Sequence, residues 1–242
     1  MGLVLVSTAG EVKAQHPDEV AVVTFNVRYD NPGDPLTWDA RKGTVTSSVS
    51  YFDLLGFQEA LSHQLDDIAA ALPEHDHFGV GRDDGKRGGE FCPVFWKRSR
   101  FDRLHAETLW LSPTPHEPGS IGWDADLPRI ATLVVLHDRQ TGKVFRVINT
   151  HFSHIGEAAR EGAARMLAAR MAGSDADVNI LLGDLNAEPE SVALEILEEG
   201  RLSDAHDVAA KRCRANMGTY TGFRTGGLRG APRIDHILVD EA

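Results

Sequence analysis

Five polar residues close four apolar runs of this chain: Asn26 lies near the end of AVVTFNV, Glu59 follows LLGFQ, His151 follows VFRVINT, and Asp184 and Asn186 follow NILLG. In an α/β protein, strand ends and the loops leaving them gather along one edge and line a shared crevice, so residues from distant segments can build one site. Asn and Glu oxygens suit a hard cation such as Mg²⁺. That ion takes one or two carboxylates and keeps positions for water and for substrate phosphate oxygens. Taken singly, each residue has an ordinary structural reading: a Glu after a strand is a solvated loop residue, the Asn of GDLN is a turn former, and His151 is a hydrogen-bonded structural histidine. The functional reading rests on finding the complementary parts of one metal-phosphate site in one chain.

Other site chemistries lack their residues. Cys92 and Cys213 are the only cysteines, too few for a disulfide framework and without zinc spacing. There is no HExxH, no close-spaced His pair on a helical segment and no Walker A glycine loop.

The elements that must position these residues are legible as apolar runs of strand length at 20–27, 53–57, 92–96, 131–136, 144–148, 178–182 and 234–239. Helical patterns occupy 61–71, 155–172 and 191–199; in the second, Ile155, Ala159, Ala163, Met166 and Leu167 share a face. Pro, Gly, Asp and Ser mark loops at 31–35, 79–89 and 112–122. Strands and helices mixed along the whole length, with no repeat or low-complexity linker, predict one α/β or α+β domain over residues 20–242.

Composition sets outer limits. The chain has 242 residues, 42% hydrophobic and 25% charged, and a net charge of −11 that works against indiscriminate binding to bulk DNA or an anionic membrane. No apolar run approaches the roughly 20 residues of a membrane span. Residues 2–6 are apolar but lack a preceding positive charge and fall short of the ~7 residues of a signal core. Residues 1–19 are therefore expected to be a leader or frayed terminus, with the cytoplasm as the default compartment and export as the alternative.

The ordered segments VTFNVRYDNPGD, GFQEA, GVGRDDGKRGGEF, LWLSPTP, GSIGWDADLPRIAT, NTHFSHIGEAAR, GDLNAEP and RIDHILV resemble the endonuclease/exonuclease/phosphatase superfamily, in particular its bacterial phosphoesterase-like branch, from Val22 to Val239. The resemblance implies a four-layer α/β sandwich of two facing, mostly antiparallel sheets flanked by helices, with the active site at one end of the sheets. It implies Glu59 as principal Mg²⁺ ligand, with Mn²⁺ as a substitute, and Asn26 helping to hold the metal or its waters. It implies that His151 stabilises charge on the scissile phosphate, Asp184 orients or deprotonates the attacking water, and Asn186 holds a phosphate oxygen or the nucleophile. Asp235 would orient a histidine later in the chain. Arg82, Lys86, Arg87, Arg129 and Arg160 are candidates for additional phosphate contacts, and Trp38 and Trp123 for the mouth of the site.

Two departures stand out. Relatives continue past the RIDH strand to a Ser-Asp-His-x-Pro segment that this sequence lacks, so the domain is expected to be C-terminally short, with an open sheet edge prone to self-association. His236 is no substitute for the missing histidine, because strand alternation points Asp235 and His236 to opposite faces. Ser153 stands where many relatives carry Asp. The implied activity is metal-dependent hydrolysis of phosphate esters by an activated water. A DNA or RNA nuclease, or an inactive or partner-completed phosphate-binding module, is the alternative. Net acidity favours a small phosphate ester or a short nucleic-acid end over an extended duplex.

Overall fold

The computed structural model describes residues 3–5, 19–213, 216–223 and 227–240. Its first sheet contains β1 (Leu3–Leu5), β2 (Val20–Asn26), β3 (Leu54–Gln58), β4 (His75–Phe78) and β5 (Val94–Lys97), in the order β1-β2-β3-β5-β4. The second contains β6 (Phe101–Trp110), β7 (Ile130–Asp138), β8 (Val144–His151), β9 (Val178–Asp184), β10 (Leu202–Asp204) and β11 (Asp235–Asp240), in the order β10-β11-β9-β8-β7-β6. Pairing in the second sheet is antiparallel except between β8 and β9, and the first is parallel only through β1-β2-β3. Apart from residues 3–5 and 19, the stretch expected to be a leader lies outside the described residues.

Strand alternation sends side chains to two different cores. On β2, Val20 and Val22 meet Val147, Ile180 and Leu182 between the sheets, whereas Ala21 and Val23 face the helices α1 (Trp38–Val49) and α2 (Ser62–Ala71). On β9, Leu181 faces outward against α3 (Glu157–Ala172) and α4 (Val192–Glu199), where Ala163, Leu167, Leu194 and Leu197 complete a third core. The result is the expected four-layer sandwich. No helix among the described residues is long and apolar enough to cross a membrane.

Several elements escape the hydrophobic pattern. β6, at the edge of its sheet, exposes Asp102, Arg103, Leu104 and His105 and so shows no alternation. α1 contains Gly43, Thr44, Val45, Thr46 and Val49, poor helix formers, and is started by the Thr37 cap and buried through Trp38, Val45 and Val49. Packing overrides propensity there. β11 is not an edge: β9 flanks it on one side and the three-residue β10 on the other.

Two buried polar links fix the distance between the sheets. Near the β2–β3 ends, Asn149 of β8 donates to the Phe57 and Pro93 carbonyls at 2.7 and 2.8 Å and accepts from Gln58 at 2.6 Å. Gly56 permits this approach, since a Cβ there would lie 1.9 Å from Leu182 Cδ1 and 2.8 Å from Asn149 Cγ. At the opposite end, Arg100 grips Asp138 with two hydrogen bonds and reaches Asp53, the residue before β3 of the other sheet. Asn149→Leu removes three buried hydrogen bonds, those to the Phe57 and Pro93 carbonyls and the one from Gln58, so it should lower unfolding free energy by about 2–5 kcal/mol in urea titrations. A loss below about 0.5 kcal/mol would remove the link from the fold's essentials.

Candidate active site

Three strand registers bring the polar strand ends together. Parallel pairing of β8 and β9 sets His151 beside Asp184, antiparallel pairing of β9 and β11 sets Asp184 beside Asp235, and parallel pairing of β2 and β3 sets Asn26 beside Gln58, one residue before Glu59. Gly183 in GDLN is required by the first register, because at φ +152° a Cβ would meet the Thr150 carbonyl oxygen at 2.0 Å. Glu59 and Asn186 then leave their strands with φ of 61° and 45°. Such left-handed backbone costs a residue with a Cβ roughly 1–2 kcal/mol, and asparagine bears it best.

The amide nitrogen of Asn26 donates to Glu59 Oε1 at 2.8 Å and to Asp184 Oδ2 at 2.9 Å, so it spans two carboxylates from different sheets. Its Oδ1 accepts from the Arg28 backbone at 2.9 Å. Tyr29 N–H donates to Glu59 Oε2, and Asn186 N–H donates to Asp184 Oδ1. The loop carrying Arg28 and Tyr29 is pinned by Gln64, which bonds Arg28 O and Asp30 N–H, and by Arg41 on the Val27 and Arg28 carbonyls. His151 Nε2 lies 3.9 Å from Asp184 Oδ2, and its Nδ1 lies 3.9 Å from Glu90 Oε2 with no hydrogen-bond partner.

Electrostatics follow from burial. It raises the Asp184 and Glu90 carboxyls above the ordinary range. Asp235 is pushed up to about 8 by burial and then by the charge of Asp184. Burial, followed by the nearby charges of Arg129 and Arg82, holds the His151 imidazole well below its usual value and therefore neutral at pH 7. Potential ligand atoms of Glu59, His151 and Asp184 all lie within 4.8 Å of one another. Two carboxylates and an imidazole around one point, with a third carboxyl behind them, are a donor set that a divalent cation fits.

Among the other expected residues, Arg82 and Arg129 lie beside this cluster, Arg82 paired to Glu90 at 2.6 Å and Arg129 donating to His154 Nδ1 at 2.9 Å. Arg160 donates instead to the Ser153 carbonyl, and Arg87 pairs with Asp66. Lys86 is exposed on the glycine-rich loop. Trp38 is buried with its N–H on Asp67, a packing role, while Trp123 is exposed. Ser153, in the usual Asp position, accepts from Gly156 N–H and shapes the turn into α3. Glu90, Gln58 and Asn149 were not singled out from sequence; Glu90 carried one signal, a carboxylate opening the apolar run EFCPVFW.

Strand alternation separates Asp235 from His236. Asp235 faces Asp184 and Thr219, while His236 is buried on the other side, bonded to Asp204 at 2.7 Å and to the Ala187 carbonyl at 2.9 Å. It thereby braces the segment after Asn186 from behind.

The four-layer sandwich thus gathers carboxylates, amides and a histidine at its shared strand ends. Residues 23–242 match the sequence profile of the Endonuclease/Exonuclease/phosphatase family, and the chain belongs to that family. An endonuclease/exonuclease/phosphatase from Bacteroides vulgatus is 37% identical with a TM-score of 0.87, over 91% of this chain and 87% of that one. The mannosyl-6-phosphatase of Bacteroides thetaiotaomicron VPI-5482 is 35% identical with a TM-score of 0.87, over 92% and 86% of the two chains. The CCR4-Not complex 3'-5'-exoribonuclease subunit Ccr4 of Emericella nidulans is 26% identical over 171 residues, 58% of this chain and 25% of that protein's length. The chain thus spans about a quarter of that curated relative.

Two outcomes follow. Glu59→Gln should weaken Mn²⁺ binding at least ~10-fold in calorimetric titration, because the substitution removes a carboxylate charge from the cluster. Burial presses the Asp204 carboxyl upward, but the hydrogen bond from His236 and the charges of His236 and Arg233 bring it down to about 2. A depressed carboxyl stabilises the fold above its unfolded-state value and loses that contribution as pH falls through its folded value. Asp204→Asn should therefore cost about 3 kcal/mol at pH 7, and the gap to wild type should narrow between pH ~4 and ~2 in denaturant melts.

Proposed function

We propose that this protein is a divalent-cation-dependent hydrolase of phosphate esters, using Mg²⁺ with Mn²⁺ as substitute, and that water is the acceptor. The observation carrying this reading is the convergence of Glu59, His151 and Asp184 to within 4.8 Å at the shared end of the sheets. Glu59 would hold the cation, with Asn26 fixing the Glu59 and Asp184 carboxylates and holding the metal's waters. When bound, the cation would supply Lewis-acid polarisation of the phosphoryl oxygens.

The remaining work falls to the chain's own groups. Asp184, with one oxygen anchored by Asn186 N–H, orients the attacking water and takes its proton. His151, kept neutral by burial, donates a hydrogen bond to a phosphoryl oxygen, where charge grows in the transition state. The Asn186 side chain, donating to the Phe152 carbonyl at rest, lies where it can turn to a phosphate oxygen. Asp235, which the family pattern pairs with a later histidine, lies beside Asp184 on the adjacent strand.

Similarity over nearly the whole chain to a protein named mannosyl-6-phosphatase supports a small phosphate ester as substrate. The match to an exoribonuclease subunit supports the second reading, a DNA or RNA nuclease. A net charge of −11 weighs against extended duplex as substrate in either case.

Purified protein should hydrolyse p-nitrophenyl phosphate or bis(p-nitrophenyl) phosphate with Mg²⁺ or Mn²⁺ and lose turnover in EDTA. Asp184→Ala should lower kcat by ~10²- to 10⁴-fold. An unchanged rate in that variant would overturn the assignment, and absence of turnover in the wild type would favour a phosphate-binding module without activity of its own.

A further inference from the structure

We propose that His236 is a buried imidazolium ion whose Nε2–H holds the Asn186 turn in place, making it a positioning residue for phosphate-ester hydrolysis from the face of β11 opposite the site. The catalytic consequence rests on the phosphoesterase reading; the charge on the ring does not.

The case begins with the atoms around the ring, whose side chain is fully buried. Nδ1 lies 2.7 Å from Asp204 Oδ2, and Nε2 lies 2.9 Å from the Ala187 carbonyl oxygen. A carbonyl oxygen only accepts, and so does an ionised carboxylate, the form in which Arg233 Nη1 holds Asp204 at 2.6 Å. A neutral imidazole has one N–H and one bare nitrogen, so either tautomer would set a lone pair against an acceptor oxygen. Only a ring protonated on both nitrogens satisfies both contacts. Arg233 Nη1 also approaches Nδ1, but at 3.4 Å, against 2.7 Å for the carboxylate, so the carboxylate decides the proton's place. The remaining charged groups nearby are Asp207, 3.8 Å from Arg233 and bonded to the His206 ring, and Glu198, which feels the charges of Asp204, Asp207, His236 and Arg233. His236 and Arg233 thus face three carboxylates, and the imidazolium has its counter-charge.

The other end of the ring reaches the site. Ala187 follows Asn186, whose N–H donates to Asp184 Oδ1 and whose backbone is left-handed at φ 45°. A residue with a Cβ stays in that conformation only where its surroundings fix it. Here the residues on both sides are tied down: Leu185 N–H donates to the Ile234 carbonyl at 2.8 Å, and the Ala187 carbonyl accepts from His236. Three consecutive residues divide the work, with Asp235 beside Asp184 while Ile234 and His236 hold the turn that carries Asn186. A hydrogen bond from a charged donor is about twice as strong as a neutral one, which suits a tether on a strained turn.

Two substitutions separate the two ends of the ring. His236→Gln keeps a donor at the reach of Nε2 and loses the bond to Asp204; His236→Asn keeps a donor at the place of Nδ1 and loses the bond to Ala187. With p-nitrophenyl phosphate and Mg²⁺, and with melts to establish folding, His236→Asn should lower kcat by ~10- to 10²-fold at little change in KM, whereas His236→Gln should stay within ~3-fold of wild type. A merely structural histidine would lower melting temperature in both and leave kcat alike in both, and that result would overturn the positioning role. If His236→Asn does not fold, His236→Gln decides, since a loss of ~10-fold or more in its kcat would show that the Ala187 tether is not what matters.

The charge is read without turnover. Nitrogen-15 NMR of the wild type at pH 7 should show a proton on each ring nitrogen of His236, identified by their loss in His236→Gln, and a bare ring nitrogen would overturn the imidazolium. Should no ester be hydrolysed, the phosphoesterase reading fails separately and hydrogen exchange at the Asn186 amide tests the tether: it should quicken at least ~10-fold in His236→Asn and not in His236→Gln, and equal exchange in the two would count against the proposal.

Discussion

One amide nitrogen, on Asn26, bonds to carboxylates that belong to different sheets, Glu59 on the first and Asp184 on the second. Hydrogen bonds of this kind tolerate only a few tenths of an ångström, so the site exists only while the sheets keep a fixed separation and register. That separation is set where a side-chain amide replaces apolar packing. Asn149 ties β8 to the carbonyls of Phe57 and Pro93, and Gly56 lets the layers approach there. Arg100, joining Asp53 to Asp138, closes the other end, so the sandwich is held at both ends while apolar side chains pack its centre.

The same geometry concentrates charge in a poorly solvated place. Glu59, Asp184 and Asp235 share one edge, and Asp235 is pushed to about 8 by burial and by Asp184. A short distance away Arg82 pairs with Glu90 and Asp83, and Arg129 donates to His154. A group of carboxylates and a pair of guanidiniums thus lie side by side at one end of the sheets. The fold sustains the carboxylates because the backbone N–H groups of Arg28, Tyr29 and Asn186 anchor the side chains before any ligand arrives.

Much of this was legible in the sequence, for a physical reason: strands buried on both faces read as continuous apolar runs, and polar residues at their ends stand out. The runs before Asn26, Glu59, His151 and Asp184 are of that kind, and each corresponds to a strand whose end lies at the site. β6 and α1 were not legible, one because an edge strand needs no apolar face where it meets water, the other because tertiary burial of Trp38, Val45 and Val49 outweighs poor helix propensity. Glu90 and Asn149 were hidden for a different reason. Their importance lies in partners 61 and 92 residues away, His151 and the Phe57 carbonyl, and no local pattern encodes a contact of that span.

The left-handed backbone at Glu59 and Asn186 has a consequence for attempts to improve this protein. A search for thermostability that scores each position by its local conformational preference would place glycine at both, relieving strain at the expense of the side chains on which the site is built. Robustness and the geometry of the candidate site therefore pull in opposite directions at these two backbone positions. Stabilising changes are better sought on the outer helices, far from the strand ends.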